Sequence, residues 1–587
     1  MTNTHLLKIA SISILFFSCF FLAPKLSFGQ AFVDINAGIT GVLSGTAKWG
    51  DFDNDHDLDL IISGETLSGS IISKIYQNDS GIFSFSDKNL SGMKKGSLAW
   101  GDYDNDGDLD LLVCGNTEIQ QTLVYKNNEG EFTALESGID YLSDYSTGCW
   151  ADYDNDGDLD IFITGNWNSK LYRNDGQDFF TETENEFAML SASRSSWSDY
   201  DADGDLDLLL TGDTGGGMEL YLYINHSGYF EEKPLPNMGL SSGSIEWGDY
   251  DNDGDQDILI MGFNDNVEPY ATIYQNNGNH VFSDTYAGLP PVALGNASWG
   301  DFDNDGDLDV AITGKLAGCG VFASSIYENM GNNFFNDINT GLTTAERSYI
   351  SWGDFDNDTD LDLVLCGSSY SGGSFTKIYR NDISLPNILP EAPQNLSTVF
   401  ENQNVVLTWD KANDAQTPQD ALTYNIRIGT SPADINSLSP MSDVVDGYRR
   451  IPSPGNTTQT NFWRIAGLEE GQMYYWSVQT IDNAYGTSEF SEEHSFYVTF
   501  TGETEVSASI GTIEMYPNPA KNKLHFNFDE SNEVGYSVLI LSMDGRTVKK
   551  TEIKKNQTID VSDLTRGVYI VETINGTAQT TEKSIVE

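Results

Sequence analysis

A stretch of sixteen residues, written WGDYDNDGDLDLLVCG from Trp100, recurs seven times, beginning at Trp49, Trp100, Trp150, Trp197, Trp247, Trp299 and Trp352. Successive tryptophans stand 51, 50, 47, 50, 52 and 53 residues apart. A period in that range marks an array in which each unit buries its apolar face against its neighbours. The repeat therefore sets the plan of residues 31–385 before any single residue is considered.

Each motif runs into a short apolar stretch rich in β-branched residues and ended by glycine, as in LLVCG, IFITG and VAITG. Such a run suits a strand covered on both faces. A second signature follows, Tyr-x-Asn, at Tyr76, Tyr125, Tyr172, Tyr223, Tyr274, Tyr327 and Tyr379. After a turn rich in Asn, Asp and Gly, aromatic strands are expected at Phe83, Phe132, Phe180, Phe230, Phe282 and Phe335. Four short strands per unit is the content of one propeller blade. The seventh copy ends at Asp382 without its aromatic strand, whereas Phe32 stands 17 residues before Trp49, the offset found in most other copies. The expectation is all-β: a seven-bladed β-propeller closed by the N-terminal strand, which leaves no free sheet edge.

Alternate positions of the motif are aspartates. Numbered 1, 3, 5, 7 and 9, they are Asp51, Asp53, Asp55, Asp57 and Asp59 in the first copy, and Asp102, Asp104, Asp106, Asp108 and Asp110 in the second. The third and fourth copies have Asp152, Asp154, Asp156, Asp158 and Asp160, then Asp199, Asp201, Asp203, Asp205 and Asp207. The fifth has Asp249, Asp251, Asp253, Asp255 and Asp257, and the sixth Asp301, Asp303, Asp305, Asp307 and Asp309. The seventh has Asp354, Asp356, Asp358, Asp360 and Asp362. Five like charges within nine residues repel unless a cation lies among them. With a turn glycine at position 6, the pattern matches the first nine positions of a calcium loop, and hard oxygen donors suit Ca²⁺. An EF-hand would need Glu at position 12, where Val113 lies in the apolar run.

Up to seven Ca²⁺ are therefore expected, each clamping a turn between strands and coupling folding to metal. Copies one and seven are the weaker cases, because His56 and Thr359 replace the turn glycine. Position 7 is expected to offer only its carbonyl, its side chain facing water. The competing reading is a solvated acidic turn without metal.

The formal charge of −59 argues against nucleic acid and anionic lipid as partners. Residues 1–29, with Lys8 and an apolar run, read as a secretory signal, and no later segment is long and apolar enough for a membrane helix. Cys114, Cys149, Cys319 and Cys366 are too few for a disulfide framework, and Cys114 and Cys366, in the same slot before the motif glycine, read as small buried side chains.

The motif followed by Tyr-x-Asn resembles the FG-GAP, or VCBS-type, repeats. The resemblance implies a seven-bladed propeller with calcium in each DxDxDG loop, as in integrin alpha chains, over residues 31–382. Integrin ligand recognition is not implied, since it uses a partner chain and loops absent here. Past the proline-rich SLPNILPEAP, residues 391–500 alternate apolar and polar residues and resemble a fibronectin type III domain, with Trp409 as core anchor and Leu468 and Tyr474 at tyrosine-corner spacing. Residues 512–587, with YPNP, DGR and GVYIV, resemble the type A C-terminal sorting domain of the type IX secretion system. That implies a small β-sandwich that engages the secretion machinery, and an extracellular or cell-surface location.

Two functional readings stay open. One is a non-enzymatic platform for adhesion or for binding an extracellular glycan or protein, favoured because no repeat departs from the others by an inserted loop. The other is a calcium-dependent polysaccharide lyase or glycoside hydrolase. No catalytic constellation is visible: His56, His226 and His280 stand singly and read as surface turn residues. Trp167, absent from the other copies, is the one aromatic singled out for ligand stacking.

Overall fold

The computed structural model describes residues 32–499, apart from 118–121, 143–144, 319, 384 and 402–403, and most of the strands between 513 and 586. Residues 1–29 and Cys319 lie outside the described residues. Every regular element described is a β-strand. The chain divides into two compact units, Met1–Phe500 and Thr501–Glu587.

Each aspartate repeat builds one antiparallel four-stranded layer. In the second copy the strands are Met93–Gly101, Asp110–Thr117, Leu123–Asn128 and Glu131–Ala134, paired in chain order. The aspartate loop joins the first strand to the second, and Tyr-x-Asn closes the third. The second strand is the apolar run, buried at all six residues of Asp160–Gly165, because a neighbouring layer covers each face. Five layers are separate sheets, and the sixth and seventh are linked through one bridge, Ala323 opposite Ala345. The seventh takes its outer strand from the other end of the region: Phe32 pairs with Asn381, Val33 with Arg380 and Asp34 with Tyr379.

One aromatic wedge recurs between layers. Trp150 stacks on Tyr103 of the preceding loop at 5.8 Å and 8°, with Phe180 packed against both rings. The seventh layer meets the first in the same way, Trp49 on Phe355 at 6.2 Å and 12°. The glycine after tryptophan allows this approach: a Cβ on Gly50 would lie 2.7 Å from the Trp100 indole, and one on Gly353 2.6 Å from that of Trp49. Trp167 stands apart, 46% exposed beside Gly215.

Residues 391–499 form two three-stranded sheets around Trp409, Tyr424, Trp463 and Trp476. The Tyr474 hydroxyl accepts the Glu469 amide at 3.0 Å, a local brace at the spacing noted in the sequence. In the C-terminal unit a three-stranded and a four-stranded sheet enclose Leu524, Phe526, Val538, Ile540 and Val571.

Candidate metal centres

Each aspartate loop is wound around its own carboxylates. Asp102 at position 1 accepts the amides of Asp106 and Gly107, both at 3.0 Å, and Asp106 accepts that of Asp108 at 3.0 Å. Asp110 at position 9 accepts the amides of Tyr103 at 3.2 Å and Asn127 at 2.8 Å. The winding needs left-handed backbone at position 6, where Gly107 has φ 94°; His56 and Thr359 adopt it at 70° and 74°.

The fold brings positions 1, 3 and 9 together. One oxygen each from Asp51, Asp53 and Asp59 lies within 4.8 Å of the others; Asp102, Asp104 and Asp110 repeat this, as do Asp152, Asp154 and Asp160. In the fourth loop Asp199, Asp201 and Asp203 make the cluster. The third position is the most telling. Its Oδ1 is buried without a hydrogen-bond partner in Asp53, Asp104, Asp154, Asp303 and Asp356. The other oxygen is satisfied in several copies, Asp53 by Gln77 and Asp251 by Gln275, each at 2.6 Å. A buried carboxylate oxygen left bare is costly unless a cation meets it.

Burial also pushes these acids upward. Asp59, Asp110, Asp207 and Asp257 rise to about 9, chiefly because their charge is removed from water and then because neighbouring aspartates repel it. Asp102 and Asp249 rise to about 7 and Asp199 to about 8 for the same first reason. The donor set, carboxylates converging from alternate positions with one oxygen unmet, fits a hard divalent cation such as Ca²⁺. In the second loop Lys126 also pairs with Asp104 and lies 3.7 Å from Asp106.

Position 7 departs from the expectation that its side chain faces water. Asn105 donates to Asp158 at 2.9 Å, Asn155 to Asp205 at 2.8 Å, Asn252 to Asp307 at 2.6 Å and Asn304 to Asp360 at 2.7 Å. Asn54 reaches Asp108 at 2.7 Å, and Asn357 of the seventh loop reaches Asp57 of the first at 2.9 Å. The fourth loop has Ala202 in that place and donates no such bond. These oxygens are committed to the neighbouring loop, which leaves the backbone carbonyl as the candidate ligand from position 7. His56 is not a lone turn residue: its ring lies 3.3 Å from Asp443 and 3.4 Å from Asp446, stacked on Tyr448.

Two features escaped the sequence reading. The asparagine of Tyr-x-Asn is an inter-layer staple: Asn127 Nδ2 donates to Phe52 O at 2.8 Å in the preceding loop and to Leu109 O at 3.1 Å in its own. Its invariance across the seven copies was the available signal. Residues 391–499 also dock on the aspartate loops. Arg450 donates to Gly107 O at 2.6 Å, Asn483 to Gly306 O at 2.9 Å, Gln459 to Asp249 at 2.9 Å, and Asn105 accepts the Ser439 amide at 2.7 Å. These contacts come from irregular loops, for which no periodic signal exists.

Residues 51–113 and 199–260 match the FG-GAP-like repeat family, and residues 514–587 match the secretion system C-terminal sorting domain. No curated protein matches the chain. Solved structures resemble it only distantly. An Agrocybe aegerita lectin, described as recognising non-reducing terminal N-acetylglucosamine, shares 15% identity over 51% of this chain and 81% of its own, with a TM-score of 0.33. AofleA from Arthrobotrys oligospora shares 13% over 52% and 88%, with a TM-score of 0.33. Chicken CNTN1 domains FN1–FN3 share 11% over 51% and 100%, with a TM-score of 0.18. The chain thus carries FG-GAP-like repeats and a type IX sorting domain, and the latter indicates export across the outer membrane to the cell surface or extracellular space.

Proposed function

We propose that the seven layers are the blades of a closed, calcium-stabilised β-propeller, that residues 391–499 are a fibronectin type III domain, and that the exported protein is a non-enzymatic platform for an extracellular glycan or protein. The observation that carries the calcium reading is the bare, buried Oδ1 of position 3 in five of the seven loops. Bound there, Ca²⁺ would supply the positive charge that lets several buried carboxylates ionise side by side. Ring closure is supported by Trp49 on Phe355 and by Asn357 on Asp57, which join the last layer to the first as the others are joined. The platform reading is supported by the uniformity of the layers and by export. Trp167, half exposed, is the proposed stacking surface for a sugar ring.

The test is thermal unfolding of the purified protein with calcium and with EGTA, together with elemental analysis of bound metal. Five to seven calcium ions and a large calcium-dependent rise in melting temperature are expected. No bound metal and no shift would sink the calcium reading. Glycan and protein arrays then test the platform.

A further inference from the structure

At the end of the repeat region away from the aspartate loops, the first strands of the seven layers enclose a cavity of about 270 Å³. A second cavity of about 520 Å³ is lined in part by residues 391–499 and shares Lys48, Cys149 and Glu246 with it. Most of the residues that line the smaller cavity stand one, three or five positions before a tryptophan. Five before, all seven residues are left-handed, from Ala192 at φ 48° to Tyr145 at 60°. The pairing register slips beside five of them, as between Lys94 and Ser97. Such a bulge re-aims side chains. Amides there link layers hand to hand: Ser44 donates to Arg347 O at 2.8 Å, Lys95 to Ser44 O and Tyr145 to Lys95 O, both at 2.6 Å.

What this belt collects is the opposite of the rest of the molecule. In a chain of net charge −59, Lys48, Lys95, Arg194 and Arg347 all line the cavity, against one acid, Glu246. Among the described residues, neither Arg194 nor Arg347 forms an ion pair, and Lys48 meets only the field of Glu246, with no carboxylate oxygen within 4.0 Å. Lys48 lies over the Tyr349 ring at 5.3 Å, and Arg194 donates to Ser193 O at 2.8 Å and weakly to Thr147. A low-dielectric cleft in which one sign of charge predominates focuses that charge on whatever enters. The cavity also offers an acceptor: Asn296, 5% exposed, has Oδ1 without a partner, whereas Glu246 already accepts the Trp299 amide at 3.2 Å and meets the Ser298 side chain and the Lys48 charge. Cations suit an oxyanion, whereas bare acceptors suit hydroxyl donors. The volume is just under the roughly 300 Å³ at which pockets for larger ligands begin, the size class of one sugar unit.

We infer that this axial cavity binds the acidic group of a saccharide, a carboxylate or sulfate ester, with Lys48, Arg194 and Arg347 holding the oxyanion and Asn296 taking a sugar hydroxyl. The inference narrows the glycan-platform reading and rests on it, but it does not depend on calcium in the loops.

Calorimetric titration of the calcium-loaded full chain with glucuronate, glucose and sodium sulfate tests it. Glucuronate should bind, sulfate should compete with it, and glucose should not bind. Arg194→Gln and Lys48→Gln should each weaken glucuronate on the order of ten- to a hundredfold, the loss expected for one charged hydrogen bond. Arg347 is exposed at the rim, so Arg347→Gln gives a variant whose folding is not at stake, and it should weaken binding in the same direction. Absence of glucuronate binding, equal binding of glucose, or affinities untouched by all three substitutions would overturn the site. Sulfate bound without glucuronate would overturn the saccharide assignment. Melting with and without calcium in the same samples reports separately on the loops.

Discussion

Between its layers the repeat region encloses charge: Asp51, Asp59, Asp110, Asp160, Asp207 and Asp362 have no exposed surface. Residues 391–499 instead enclose Trp409, Tyr424, Trp463 and Trp476, and Asp482 is the single buried acid described there. On the proposed reading, the order of the first region depends on what the solution supplies, and that of the second rests mainly on packing. The difference teaches where to look for sensitivity. Proton and cation concentration should act on the first region, and side-chain volume on the second.

Chelation should separate them most widely. An ion held at a thousandfold its dissociation constant contributes about 4 kcal/mol, so losing several would exceed the stability of an ordinary domain. Scanning calorimetry in EGTA should show an early transition for the repeats and a later one for residues 391–499. A single transition that shifts as a whole would mean the docking contacts fuse the two regions.

The dependence on pH should come next. Without calcium, Asp59, Asp110, Asp207 and Asp257 hold their protons to about 9 when folded, against roughly 4 when unfolded. The folded state binds protons more tightly, so this contribution is complete below about pH 4 and is lost as pH rises toward 9. If calcium binds as proposed, it should compete with those protons and reverse the slope. Urea midpoints across pH, with and without calcium, should therefore run in opposite directions, and parallel slopes would refute the buried-carboxylate account.

Trp409→Ala should cost the sandwich about 3–5 kcal/mol while leaving the calcium stoichiometry unchanged. Asn127→Ala, which strips a buried staple, should cost the repeats about 2–3 kcal/mol and leave the sandwich transition in place. Smallest is Thr359→Gly, which relieves a left-handed threonine and should stabilise the seventh loop by up to about 1 kcal/mol in urea unfolding. No gain would show that the loop tolerates that backbone without cost.

Much of this was legible because it is local. The loop carboxylates lie within nine residues, the second strand announces itself by its apolar run, and the strand at Phe32 is betrayed by its distance from Trp49. What stayed hidden joins residues far apart. Asn127 and Phe52 are one repeat removed, Arg450 and Gly107 belong to different regions, and Lys48, Arg194 and Arg347 meet only when layers one, four and seven face the same cavity. Spacing reports what a residue does to its chain neighbours, and it is silent on where the packing of several layers will point it.

The strand Phe32–Asp34 sets an order of events. Its partner, Ser374–Asn381, leaves the ribosome about 350 residues later, which at 5–20 residues per second is a wait of roughly 20–70 s. During that interval the first layer has no seventh to lean on, and once the seventh forms, its edge is open until the beginning of the chain returns to it. This pairing is a meeting of the oldest and youngest parts of the region, and whatever keeps Phe32 available through synthesis and export governs whether the seventh layer gains its fourth strand.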